Sequence, residues 1–78
     1  MVVRLSPEVA LLHPRRARIL EVVREEPGIH FRELARRLNI GQSPVHHHTR
    51  KLIGAGLLKE KREGPFLAFY PTENLDAS

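Results

Sequence analysis

Seventy-eight residues suffice for one small domain around one core, which excludes a two-domain enzyme. Thirteen Lys and Arg against nine Asp and Glu leave +4; two of the acids, Glu73 and Asp76, fall in the base-free stretch 72–78, so residues 1–71 hold thirteen bases against seven acids, +6. That balance, with a pI near 10.4, favours a polyanionic partner, and the absence of cysteine excludes disulfides, thiolate zinc sites, redox pairs and thiol nucleophiles.

The longest apolar runs, Val9 to Leu12 and Pro65 to Tyr70, fall far short of the ~20 residues needed to span a bilayer. The opening Met1-Val2-Val3-Arg4-Leu5 lacks the layout of a secretory signal. A cytoplasmic setting with no membrane partner is expected.

Ser6-Pro7-Glu8 combines a capping residue, a proline suited to the first helical position and an acid suited to the helix dipole, so it predicts a short helical piece to about Leu12, stopped by His13-Pro14. From Pro14, Ala17, Ile19, Leu20, Val22 and Val23 recur at three- and four-residue intervals, with arginines and glutamates mostly on the other side. This is an amphipathic helix ended by Pro27-Gly28. Ile29-His30 is too short to classify, although extended residues here would be placed to pair with a later strand.

Phe31, Leu34, Ala35 and Leu38 lie at i, i+3, i+4 and i+7, which predicts a second helix of about two turns. Asn39 suits a left-handed stop, and Ile40 an apolar plug in a tight turn. A third helix presents Val45, His48, Thr49, Leu52 and Ile53 on one side and ends at Gly54-Ala55-Gly56, with Gly56 the expected cap. Its start is open: Pro44 favours Ser43 as N-cap, whereas the loop length from Asn39 permits Gly41 with Pro44 in the first turn. Leu57 to Arg62 then reads as a strand, Glu63-Gly64-Pro65 as a turn, and Phe66 to Tyr70 as an aromatic strand ending at Pro71. The organisation expected is an N-terminal helical extension over 1–13, a mainly α domain with a small β-hairpin over 14–71, and a flexible tail over 72–78.

Several motifs occur in a fixed order: Glu33 to Ile40, Val45 to Leu52, Gly54-Ala55-Gly56-Leu57-Leu58, and Arg62-Glu63-Gly64 before Phe69-Tyr70-Pro71. Together they resemble the winged helix-turn-helix domains of prokaryotic, most nearly archaeal, transcription regulators of the ArsR and MarR type. The resemblance spans residues 14 to 71. It implies a three-helix core with a two-stranded wing (about 57–70), a recognition helix (about 43–55) in the major groove of double-stranded DNA, and a homodimer. The apolar Val9, Leu11 and Leu12 and the tail are the expected dimer surfaces. Two positions depart from the family pattern: Thr49 stands where Leu is usual, and Pro44 where Ser or Thr is usual.

With Val45, Thr49, Leu52 and Ile53 turned inward, the third helix exposes Gln42, Ser43, His46, His47, Arg50 and Lys51, none of them acidic. Arg50 suits guanine O6/N7 or a phosphate, Gln42 suits adenine, and Ser43 at the helix start suits a phosphate. Arg32 and Arg36, a turn apart on the second helix, are candidate backbone clamps, and Lys61 and Arg62 add cations on the wing. For each arginine the plain alternative is a solvated face.

The run His46-His47-His48 does not make a metal site, because consecutive helical residues are ~100° apart around the axis and cannot converge on one ion. His48 is expected to pack, with His46 and His47 toward DNA, where acidification would add positive charge. No cofactor and no small-molecule substrate is indicated. An enzyme lacks parts: there is no Gly-rich phosphate loop, and Ser6 and Ser43 precede prolines in capping settings. The rival functions are a protein-docking winged helix, disfavoured by the basic third helix, and a nonspecific architectural DNA binder.

Overall fold

The computed structural model describes residues 10–72. They form α1 (Pro14–Glu25), β1 (Ile29–His30), α2 (Phe31–Leu38), α3 (Gln42–Gly54), β2 (Leu58–Glu63) and β3 (Phe66–Pro71). This is the winged helix-turn-helix architecture, mainly helical with a small sheet. Of the first predicted helical piece only Ala10, Leu11 and Leu12 are described, with Leu11-Leu12 in a turn, and of the tail only Thr72. Of that first piece, Ala10 is helical and fully buried, while Leu12 is 79% exposed.

The start of α1 follows from His13-Pro14. Proline fills the first helical position, and the His13 ring caps the helix by accepting the Arg15 backbone N–H at its Nδ1, 3.3 Å away. Ile19, Leu20, Val22 and Val23 are buried as the periodicity predicts. Ala17 departs from that reading: it is exposed, and Arg16 is half-buried in its stead. The helix begins only three residues before Ala17, and its buried stripe, centred on Ile19 and Val23, turns Arg16 inward and Ala17 to solvent.

α2 ends as its sequence predicts. Asn39 adopts φ 54°, its N–H bonds to the Arg36 carbonyl, and the Ile40 N–H bonds to the Ala35 carbonyl, a Schellman closure with Ile40 packed against the core. For α3 the open choice of cap resolves to Gly41, with Pro44 in the first turn, where its missing N–H costs no helical bond. The other end repeats the Schellman pattern through Gly56 (φ 79°), with the Leu57 N–H bonded to the Leu52 carbonyl.

The sheet has three antiparallel strands in the order β1-β3-β2: β2 and β3 form the two-stranded wing, and the two-residue β1, placed by the sequence to pair with a later strand, joins β3 on its other edge. Ile29 faces Phe69 and His30 faces Ala68, while β2 pairs with β3 from Leu58↔Pro71 to Glu63↔Phe66. The loop between them is Gly64-Pro65. Gly64 has φ 62°, as a two-residue turn with glycine first requires. Ile19, Val22, Val23, Leu34, Val45, Leu52, Leu58 and Phe69 meet between the helices and the inner face of the sheet. This core fixes the wing beside α3.

The outer face of the sheet has a smaller assembly of its own. Phe66 is 49% exposed and stacks on His30 with ring centroids 4.7 Å apart. Tyr70 donates to Glu63 at 2.6 Å, and His30 Nε2 lies 3.6 Å from the other carboxylate oxygen. The Tyr70 hydrogen bond, aided by His30 and Lys61, holds the Glu63 carboxyl below its ordinary pKa, and the same bond raises the Tyr70 phenol. The residues opposite and beside Ala68 on this face shield it completely.

Candidate nucleic-acid interface

α3 is seated by one stripe. Val45, His48, Thr49 and Leu52 are buried at i, i+3, i+4 and i+7, which turns Gln42, Ser43, His46, His47, Arg50 and Lys51 outward. The hydroxyl of buried Thr49 donates to the His46 carbonyl at 3.1 Å, so the polar residue in this seam leaves no hydroxyl donor unpaired. Ile53, expected on the inner side, is half-buried.

All ten residues singled out from the sequence are exposed, but they differ in what they already hold. Arg36 binds Glu33 through both Nε (3.0 Å) and Nη2 (2.5 Å), which lowers the Glu33 pKa and raises that of Arg36. Its neighbour Arg37 is held by Glu26 and also reaches Glu33. Arg50 donates from Nη1 to Glu60 Oε2 on β2 at 3.0 Å, joining α3 to the wing. Arg32, Lys51, Lys61 and Arg62, by contrast, form no ion pair among the described residues.

The structure brings Arg32, Gln42 and His46 to one open hollow of about 580 Å³, closed on its far side by Pro65 and Phe66 at the wing tip. A shallower hollow joins Arg32, Arg36 and Gln42 across the turn between α2 and α3. Ser43, His47, Arg50 and Lys51 lie on the remaining exposed surface of α3. Lys61 and Arg62 sit on β2, with side chains on opposite faces of the sheet because successive strand residues alternate.

Two features escaped the sequence reading. Glu60 of β2 is the partner of Arg50. The basic start of α1, taken as a solvated face, packs against α3: Arg16 Nε donates to His48 Nδ1 at 3.2 Å, and the His13 and His48 rings lie 4.5 Å apart. His48 is 6% exposed, as its packing role predicts, and burial first, then His13, Arg16, His47 and Arg15, push its pKa down. Both contacts join residues far apart in the chain, and no local pattern announces them. Among the described residues no three His, Asp or Glu side chains are placed to hold a metal ion.

The helix-turn-helix with an adjoining wing and an acid-free outer face on α3 defines a winged helix-turn-helix domain. The comparisons agree with that class. Residues 13–78 match the family HTH_HVO_0163_N, an N-terminal HTH domain, and the chain belongs to this family. It is 38% identical over 69 residues, 88% of the chain, to a protein of Methanocaldococcus jannaschii named as an uncharacterized HTH-type transcriptional regulator. The matched stretch spans 18% of that relative's length. Among solved structures, a possible transcriptional regulatory protein (fragment 1-100) from Mycobacterium bovis superposes with a TM-score of 0.76 at 20% identity, over 82% of this chain and 68% of the other. That likeness supports the winged-helix fold expected from the motifs.

Proposed function

We propose that this domain binds double-stranded DNA and reads its sequence, as the DNA-contacting part of a transcription regulator. The observation that carries this is the outer face of α3: six hydrogen-bonding or cationic side chains, no acid, and beside the helix start Arg32, which forms no ion pair among the described residues. A helix of ~10 Å diameter fits a major groove ~12 Å wide, and its N-terminal residues then meet base edges. Gln42 and His46 would reach bases there, with Arg32 on a phosphate. Arg50, held by Glu60, presents its remaining N–H donors in a fixed direction, which suits guanine. Lys61 and Arg62 place the wing against the neighbouring backbone.

The domain works by binding, without catalysis, as a homodimer in the cytoplasm on a pseudo-palindromic site. Two copies supply the contacts that one small domain lacks. No helix among the described residues is long and apolar enough to cross a membrane. Selection from random duplexes tests the proposal: a recurring half-site repeated about one helical turn apart supports it. Tight binding with no enrichment transfers the domain to architectural binding, and no duplex binding at about 50 mM salt transfers it to protein docking.

A further inference from the structure

A recognition helix in the major groove has a sugar-phosphate wall on each side, and the wing serves only one. The opposite flank of α3 carries His48, and around it gather His13, Arg16 and His47, with ring centroids at 4.5 Å for His13 and 5.3 Å for His47. The charge of Arg15 also reaches His48, and among the described residues the charged or titratable groups that act on this ring are all bases. Lys51, one turn beyond His47 on α3, extends the same flank and forms no ion pair among the described residues, as is true of Arg15 and Arg16.

The contrast with α2 gives this cluster its meaning. There, Glu26 and Glu33 neutralise Arg36 and Arg37. At the junction of α1 and α3, no acid among the described residues offsets the cations and imidazoles packed around one buried ring. Such self-repulsion weakens folding unless a polyanion relieves it, and planar guanidinium forks suit phosphate oxygens.

We propose that the first turn of α1, through Arg15 and Arg16 with His47 and Lys51 of α3, is a second phosphate-contact surface that grips the strand on the side of α3 away from the wing. This rests on the DNA-binding reading and extends it. The domain would then straddle the groove, with a clamp on either side of the reading helix.

The test is fluorescence anisotropy of a labelled duplex with the full chain between about 50 and 200 mM salt, comparing wild type, Arg15→Gln and Arg18→Gln. Arg15 is exposed, so its replacement leaves the core intact, and Arg18, on the same helix, is paired with Glu21. Arg15→Gln is expected to weaken selected and random duplexes alike by roughly 3- to 10-fold and to flatten the slope of log K against log salt by about 0.9, while Arg18→Gln stays at wild type. The double variant Arg15→Gln/Lys51→Gln should flatten it by about twice as much. Wild-type affinity and slope in Arg15→Gln overturn this surface and leave the DNA reading standing; equal losses in Arg15→Gln and Arg18→Gln overturn it as a site, leaving only bulk charge. Failure of wild type to bind any duplex overturns both.

Discussion

The two helices of the helix-turn-helix both present exposed arginines and are comparably basic, yet they use their charges differently. α2 spends two of its three arginines on its own stability: Arg36 is clasped by Glu33, and Arg37 by Glu26 and Glu33. α3 carries no acid, and the single ion pair it makes among the described residues, Arg50 with Glu60, reaches to the wing and not back to its own surface. Residue type and exposure are therefore poor guides to which cation meets a ligand. What a side chain already holds decides how much it has left to give.

The largest effect expected lies beneath the comparison. Leu52 is fully buried under α3 and is one of the residues that set its rotation. Leu52→Ala should cost about 2–5 kcal/mol in folding stability, enough to unfold much of so small a domain, and urea denaturation would measure it. A loss under about 1 kcal/mol would mean that α3 is not held by this stripe.

Arg50→Ala comes next. It removes the one guanidinium on α3 and leaves Glu60 without its partner, so affinity for a selected duplex should fall by about 1–3 kcal/mol, roughly 5- to 150-fold, and less on random sequence. Glu60→Gln separates reading from mere charge. If Glu60 aims Arg50, discrimination between selected and random duplex narrows even though the change removes a negative charge from the interface; if it only neutralises Arg50, binding to both tightens equally.

The third prediction breaks the comparison directly. Arg32→Ala should weaken duplexes of any sequence roughly 3- to 10-fold and flatten the salt slope by about 0.9, because a phosphate contact carries no sequence information. Arg36→Ala should change either quantity by less than about 2-fold, since Glu33 already neutralises it. Equal losses from the two variants would show that the Glu33 pair opens on binding and that the contrast within α2 has no functional weight.

Most of the fold was legible because its signals are local. The αL stop at Asn39, the plug at Ile40, the Gly56 cap and the Gly64 turn each depend on two to six neighbouring residues, and all appear where the sequence places them. The third strand was legible only as a possibility, since Ile29-His30 has too few residues to carry a period. The roll of exposed residues was also legible, from the buried stripe of α3. What escaped is everything set by side chains meeting across the fold: the Arg50–Glu60 pair, the His30–Phe66 stack and the α1–α3 cluster around His48. These join residues 10 to 36 positions apart, and a charge pattern read along the chain has no means of pairing them.

The smallest expected effect concerns that last cluster and acid. His48 is buried beside Arg16, His13, His47 and Arg15, so the folded protein resists protonating it, and its pKa lies below the ordinary histidine value. The unfolded chain takes up the proton first as pH falls. Stability from this residue is thus fully present above about pH 6.5, and is lost progressively as pH drops through that value toward the lower folded pKa. Thermal melts between pH 7.5 and 5 should show Tm falling on acidification, and His48→Gln, which keeps a hydrogen-bonding side chain but cannot titrate, should flatten part of that fall. Saturating duplex DNA should flatten it as well in the wild type, because phosphates beside Arg15 and Arg16 would offset the positive charge that His48 acquires. A duplex that leaves the pH dependence of Tm unchanged would place the phosphates elsewhere, and the acid-free flank of α3 would then be a stability cost with no ligand to justify it.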